Sequence, residues 1–462
     1  MRTPQLFISV VVALITAPTF ADLRLSPVFT DHAVLQRDVA VPIWGRATAN
    51  VDVAVHFGDR AATTKSDADG RWSLELAPMP ASVAPREVEI TAGSDRLTLH
   101  DVLVGEVWLC GGQSNMEWPM AACNGFEAAK SEAAGGKRRT IRALKMPHTL
   151  AEQPLGTNDA KWKVTDGESI GSITGVGYLF ARVIADRLDV PVGVLDINWG
   201  GTPIEPWMKD GQMHRGMIAP VAPFAIRGAL WYQGESNAGA ADKYADQLAQ
   251  LVSAWREDFR RPAMPFGIVQ LASFMKVSED PVEGGWSGLR EAQAKVAASD
   301  PHCGLAVTLD VGDAEDIHPR DKQTVASRLA EWALVTEFQQ TAGESSGPVV
   351  ESVEPAEMTT GEKGIRVRFK HGAGLKPRAG DKLDGFALAG ADGKFVWARA
   401  TVDAQSNDPR DPMSVVVFSD TVTVPVEVAY AWQNNPIRAN LVNGAGWPAG
   451  PFKLMVATTG TK

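Results

Sequence analysis

Cysteine is scarce: the 462 residues hold three, Cys110, Cys123 and Cys303. An odd count with no C-x-x-C pair excludes a disulfide framework and a zinc ribbon. Cys110 and Cys303 lie in or beside apolar runs and read as core residues, and a Cys110–Cys123 bridge stays open. Basic charge is also short. Lys and Arg number 45 against 55 Asp and Glu, for a net charge of −10. That excess argues against a nucleic-acid partner, which calls for a basic face. Long apolar runs are missing too. The longest, Leu6–Ile15, falls short of the roughly 20 residues a membrane span needs. What remains is ordinary globular composition, 45% hydrophobic and 22% charged, in a chain long enough for two or three domains.

The run Leu6–Ile15 follows a charged start at Arg2, and Thr19-Phe20-Ala21 places small residues at −3 and −1 of a cut before Asp22. Residues 1–21 therefore read as a secretory signal. The expected product is periplasmic or secreted, with no stable membrane insertion after cleavage.

Three regions follow. Residues 22–104 look β-rich: Val51–Phe57 and Trp72–Leu76 alternate with period two, around the turn Asp67-Ala68-Asp69-Gly70. That tetrad lacks the rest of a calcium loop. Residues 105–345 change character. Val104–Cys110, Val190–Ile197, Ala229–Tyr232, Phe266–Leu271 and Gly304–Leu309 are continuous apolar strands. Such strands belong in a sheet covered on both faces. Helical patterns at Gly177–Leu188, Lys243–Phe259, Leu289–Ala298 and Lys322–Phe338 alternate with them, which predicts an α/β domain with a parallel sheet. Residues 346–462 return to β character after a small, polar linker at Thr341–Gly347.

Polar signals cluster at the strand ends, where open α/β sheets bind ligands. Ser114 sits on Gly111-Gly112-Gln113, just after a strand. It reads either as a nucleophile or as a helix cap. The surrounding sequence is not the G-x-S-x-G elbow. A nucleophilic serine needs a base, and there are eight histidines. His148 and His214 have no acidic neighbour within three residues, while His302 is two after Asp300. His318 follows a strand with acids at −2, −3 and −5, so it is the better base. Asn198-Trp199-Gly200-Gly201-Thr202 offers backbone N–H donors. Gln233-Gly234-Glu235-Ser236-Asn237 offers amides and a carboxylate.

The stretches GEVWLCGGQSNMEWPM, INWGGTPIEPWM, GMIAPVAPFAIRGALWYQGESNA and DIHPRDKQTVASRLA resemble the sialate O-acetylesterase family, within the wider SGNH hydrolases. The flanking β regions resemble it as well, including the ending NPIRANLVNGAGWPAGPFKL. The resemblance implies a flavodoxin-like SGNH hydrolase domain with a parallel sheet, flanked by N-terminal and C-terminal β-rich domains. It implies hydrolysis of O-acetyl esters on sialic acids through a serine acyl-enzyme, with no metal and no cofactor. By position, Ser114 matches the nucleophile and His318 the base. Gly200 or Gly201 matches an oxyanion donor, and the third block places an amide there, Gln233 or Asn237. Many SGNH enzymes use Asp-x-x-His. Here position −3 is Glu315 and the aspartate, Asp316, stands at −2. Related esterases recruit the glutamate of the third block, which is Glu235. Asp316 and Glu235 rank together as the acid, ahead of Glu315.

For the substrate, Gln113 lies beside the serine, and an arginine fork would suit a sialic acid carboxylate. Arg290 is the candidate, against the reading of a helix salt bridge. Trp118, Trp207 and Trp231 either stack on sugar or belong to the core. Two other readings keep a carbohydrate ligand: an acetylesterase of other sugars, such as xylan or pectin fragments, and a non-catalytic glycan-binding protein. A serine peptidase would need a long groove that nothing in the sequence marks. The oligomeric state has no sequence signal.

Overall fold

A strand buried on both faces must have cover on both, and Asp95–Gly112 (β1) is such a strand, with every residue from Val102 onward buried. The computed structural model describes residues 23–155, 159–282, 284–340, 343–358, 361–403 and 414–456. The expected signal, residues 1–21, lies outside the described residues. No described helix is long and apolar enough to cross a membrane.

Around β1 are Ile141–Lys145 (β2), Trp162–Val164 (β3), Val192–Asn198 (β4), Gly228–Tyr232 (β5), Phe266–Val269 (β6) and Cys303–Ala306 (β7). Their order across the sheet is β3-β2-β4-β1-β5-β6-β7. All adjacent pairs are parallel except β2 with β3. The segments β4-β1-β5-β6-β7 follow the flavodoxin-like strand order. The chain leaves β1 to one side, returns through β4, then crosses to β5 on the other. The crevice this reversal opens lies at the carboxyl end of β1.

Helices Gly175–Leu188 (α3), Ala241–Asp258 (α4), Trp286–Ser299 (α5) and Lys322–Thr336 (α6) lie where the apolar spacing places them; Ser114–Glu117 (α1) and Phe126–Ala134 (α2) are shorter. α4 buries Tyr244, Leu248, Leu251, Val252 and Trp255, one stripe of a 3.6-residue period. Thr174 caps α3 by accepting from the Gly177 N–H, and Asp321 caps α6 by accepting from the Thr324 N–H.

The N-terminal β region is not set apart as expected. The boundary at 104/105 falls inside β1, which pairs with Ser82–Ala92 in its first part and with β4 and β5 in its second. Both regions share one apolar core. Buried Glu106 holds the join, accepting from Arg37 Nε at 2.5 Å and from Arg227 Nε at 2.6 Å. Burial would raise its pKa, but the two guanidiniums hold it below its usual value. The C-terminal region builds two four-stranded antiparallel sheets. They share a core through Ile365, Val367, Phe369, Leu388, Val428 and Tyr430, to which Val307 and Leu309 contribute from beyond β7. All three cysteines are buried and free, so the Cys110–Cys123 bridge is absent.

Candidate active site

Ser114 opens α1 directly after β1. Its hydroxyl does not cap the helix; it meets His318 Nε2 at 2.9 Å. His318 arrives from the loop between β7 and α6. Its backbone N–H donates to Asp316 Oδ1 at 2.8 Å, and its ring stacks on Trp118, centroids 4.6 Å apart and 11° between planes. Burial lowers the imidazole pKa; Asp316 offsets part of that and Lys322 adds to it. A base with a lowered pKa is neutral, and able to take a proton, at neutral pH.

The two leading acids separate clearly. Asp316 Oδ1 lies 3.5 Å from His318 Nδ1, with the aspartate side chain half exposed. Glu235 makes no contact with His318. The residue is half-buried with its carboxylate turned inward; Oε1 accepts from Asn115 Nδ2 at 2.6 Å, and burial of the carboxylate pushes its pKa up. Glu315 does not reach the imidazole either; its backbone N–H donates to Asp313. The structure therefore brings Asp316 to His318, and places Glu235 against Asn115 instead.

Glu235 belongs to a buried bridge the sequence did not reveal. Asn115 Nδ2 also donates to the Ile317 carbonyl at 2.9 Å, and Asn115 Oδ1 accepts from Lys322 Nζ at 2.5 Å. Asn115, the residue after Ser114, thus holds Ile317, the residue before His318. Burial drives the Lys322 pKa down to about 8. Asn115 stands within the recognised serine block, and that adjacency was the available signal.

The amides expected in the oxyanion hole are spent inside the fold. Gln233 Nε2 is directed at Gln113 Oε1, the Thr202 carbonyl and Asn237 Oδ1. Asn237 Nδ2 points to the Glu205 carboxylate at 3.2 Å. Both residues are buried and leave no free donor, so they brace the loops instead. Gln113 Oε1 takes the Gly234 and Ser236 N–H groups besides Gln233. None of the described residues accepts from Gln113 Nε2.

The loop after β4 packs on the serine from another side. A Cβ on Gly200 would sit 3.3 Å from Ser114 Cβ and 3.1 Å from Glu117 Oε2, so a side chain there would press on Ser114. The Gly200 N–H donates to Glu117 Oε2 at 2.6 Å. Gly201 adopts φ +74°, a conformation glycine takes without strain. No described residue accepts from the Gly201 or Ser114 N–H.

Arg290 is no substrate fork. It is fully buried and donates to the carbonyls of Leu271, Ala272, Gln433 and Asn434 at 2.7 to 2.9 Å. It ties α5 to the C-terminal region. Trp207 and Trp231 are likewise buried, packed edge to face. Trp118 is half buried and remains at the site. The exposed cation nearby is Arg320, two residues past His318, whose Nε donates to the Ala122 carbonyl at 3.1 Å. Trp118 Nε1 donates to the same carbonyl at 3.3 Å.

A serine hydroxyl held by a histidine beside free backbone donors is the equipment of a carboxylic ester hydrolase. Comparison with known proteins agrees and names the family. Residues 104–334 match the model of the carbohydrate esterases described as sialic acid-specific acetylesterases, and the chain belongs to that family. It is similar to the human sialate O-acetylesterase, 30% identical over 393 residues covering 72% of this chain and 74% of the relative. The rat sialate O-acetylesterase is 27% identical over 439 residues, covering 76% and 80%. Among solved structures, a carbohydrate acetylesterase from Xanthomonas citri aligns with a TM-score of 0.85 and 35% identity, covering 94% of this chain and 99% of that one. The protein is thus a carboxylic ester hydrolase of the carbohydrate acetylesterase kind, with a mixed sheet and additional β-rich regions.

Proposed function

We propose that the protein is an exported serine esterase that removes O-acetyl groups from sialic acids through an acetyl-serine intermediate. The observation that carries this reading is the 2.9 Å contact between His318 Nε2 and Ser114 Oγ. In the first step Ser114 Oγ attacks the acetyl carbonyl as His318 Nε2 takes its proton. The N–H groups of Ser114 and Gly201, which no described residue engages, receive the oxyanion. The tetrahedral intermediate collapses, and His318 returns the proton to the departing sugar oxygen. Water then attacks the acetyl-enzyme with His318 again as base, releasing acetate and restoring Ser114. Asp316 favours the imidazolium formed in each half-reaction.

Sialic acid as the sugar is supported by the family and by the relatives' stated activity. Arg320 takes the place first given to Arg290. Its guanidinium is exposed and, among the described residues, is anchored through Nε alone, which leaves its outer edge for a carboxylate. The similarity to the Xanthomonas acetylesterase supports a second reading, with other acetylated carbohydrates as substrates. Acetate release from O-acetylated sialic acid and from acetylated xylan separates the two. Release from the first supports the sialate assignment, and release only from xylan overturns it.

A further inference from the structure

We propose that Glu117 and His148 form a positioning pair that fixes the oxyanion loop; the role rests on the reading of Ser114 as nucleophile. Glu117 stands three residues after Ser114, on the same side of α1. Each of its carboxylate oxygens has a task. Oε2 accepts the Gly200 N–H at 2.6 Å, and Oε1 meets His148 Nε2 at 2.9 Å. The His148 ring lies flat on Trp199, centroids 4.4 Å apart and 7° between planes. Two side chains from different segments therefore clamp two successive residues of the loop after β4.

The rest of the loop is tied elsewhere. The Trp199 N–H donates to the Gly112 carbonyl at 3.0 Å. Thr202 Oγ1 donates to the Trp199 carbonyl at 2.7 Å, and Gln233 Nε2 reaches the Thr202 carbonyl at 3.2 Å. With the N–H groups of Trp199 and Gly200 committed, the Gly201 N–H is the next donor along the loop and stays free. Because Gly200 packs on Ser114, small movements of the peptide at 200 change the hole directly. A carboxylate this close would oppose a developing oxyanion. His148 Nε2 lies against the other oxygen, Oε1, at 2.9 Å, so the carboxylate is packed on both sides while it holds the loop. Neither residue touches the reacting atoms in this account; both act through the loop.

The test is kinetics of the folded full chain on one acetyl ester, with folding followed by thermal melting. Glu117→Ala is expected to lower kcat roughly tenfold to a hundredfold, less than the full loss of an oxyanion donor, with KM within about twofold. Glu117→Gln is expected to recover most of that rate, since its amide oxygen still accepts from the Gly200 N–H. His148→Phe keeps a ring on Trp199 but lacks the nitrogen that meets Glu117 Oε1, and is expected to fall between them. Wild-type kcat in Glu117→Ala overturns the proposal, as does a change confined to KM. If Glu117→Ala does not fold, wild-type kcat in His148→Phe overturns it instead. A wild-type enzyme that releases no acetate overturns the underlying reading and this one together.

Discussion

His318 Nε2 and Ser114 Oγ stand 2.9 Å apart across 204 residues of sequence. The sheet makes this possible, because β1 and β7 deliver their following loops to the same end. The same geometry sets what each neighbour of the pair should do when altered.

Asp316 acts on His318 from 3.5 Å and from a half-exposed position, where solvent weakens its charge. Asp316→Asn is expected to lower kcat only about tenfold, far less than loss of the serine or the histidine. The acid raises the His318 pKa, so its removal lowers that pKa further. Activity requires neutral His318 and is lost as pH falls through its pKa. The acid limb of the pH–rate profile should therefore move to lower pH. Glu235→Gln should leave that limb in place; a shift there in place of Asp316→Asn would make Glu235 the acid.

Lys322 has the opposite sign. Its buried charge lowers the His318 pKa. Lys322→Met removes that charge, so activity should disappear at higher pH than in the wild type. It also leaves Asn115 Oδ1 without its donor, at a cost of about 1–3 kcal/mol. The pH–rate profile and the melting temperature report the two effects separately.

Arg290→Met should behave as a stability variant. The buried Leu271 and Gln433 carbonyls lose the guanidinium, while Ala272 keeps Trp286 Nε1 and Asn434 keeps the Phe274 N–H, so a loss of about 3 kcal/mol is expected. Protein that remains folded should keep wild-type KM. A raised KM in a stable variant would restore Arg290 to substrate binding.

Arg320→Ala should raise KM for O-acetylated sialic acid about tenfold, the size of one charge-assisted contact. A neutral acetyl ester should be unaffected. Equal effects on both would remove Arg320 from carboxylate recognition.

Much of this architecture was legible in the sequence, because strand and helix patterns are local. The alternating run Val51–Phe57 became the strand Asp52–Phe57, and Lys243–Phe259 became the helix Ala241–Asp258. Ser114 and His318 were legible because glycines, strand ends and nearby acids mark them. The boundary at 104 was not, because one strand serves two sheets and its apolar pattern carries no break. Partners across long separations were hidden as well. His148 seemed to lack an acid, yet Glu117 lies against it from a different segment. The side chains of Gln233, Asn237 and Arg290 have donors of the right kind, but burial had already assigned those donors to the fold.

The central claim is that Ser114, activated by His318, takes the acetyl group. The most direct test mixes the enzyme with O-acetylated sialic acid, quenches in acid and maps the mass of its peptides. The account predicts one acetyl group on the peptide containing Ser114, and neither the acetyl group nor acetate release in Ser114→Ala. Acetate release at the wild-type rate from folded Ser114→Ala would contradict it.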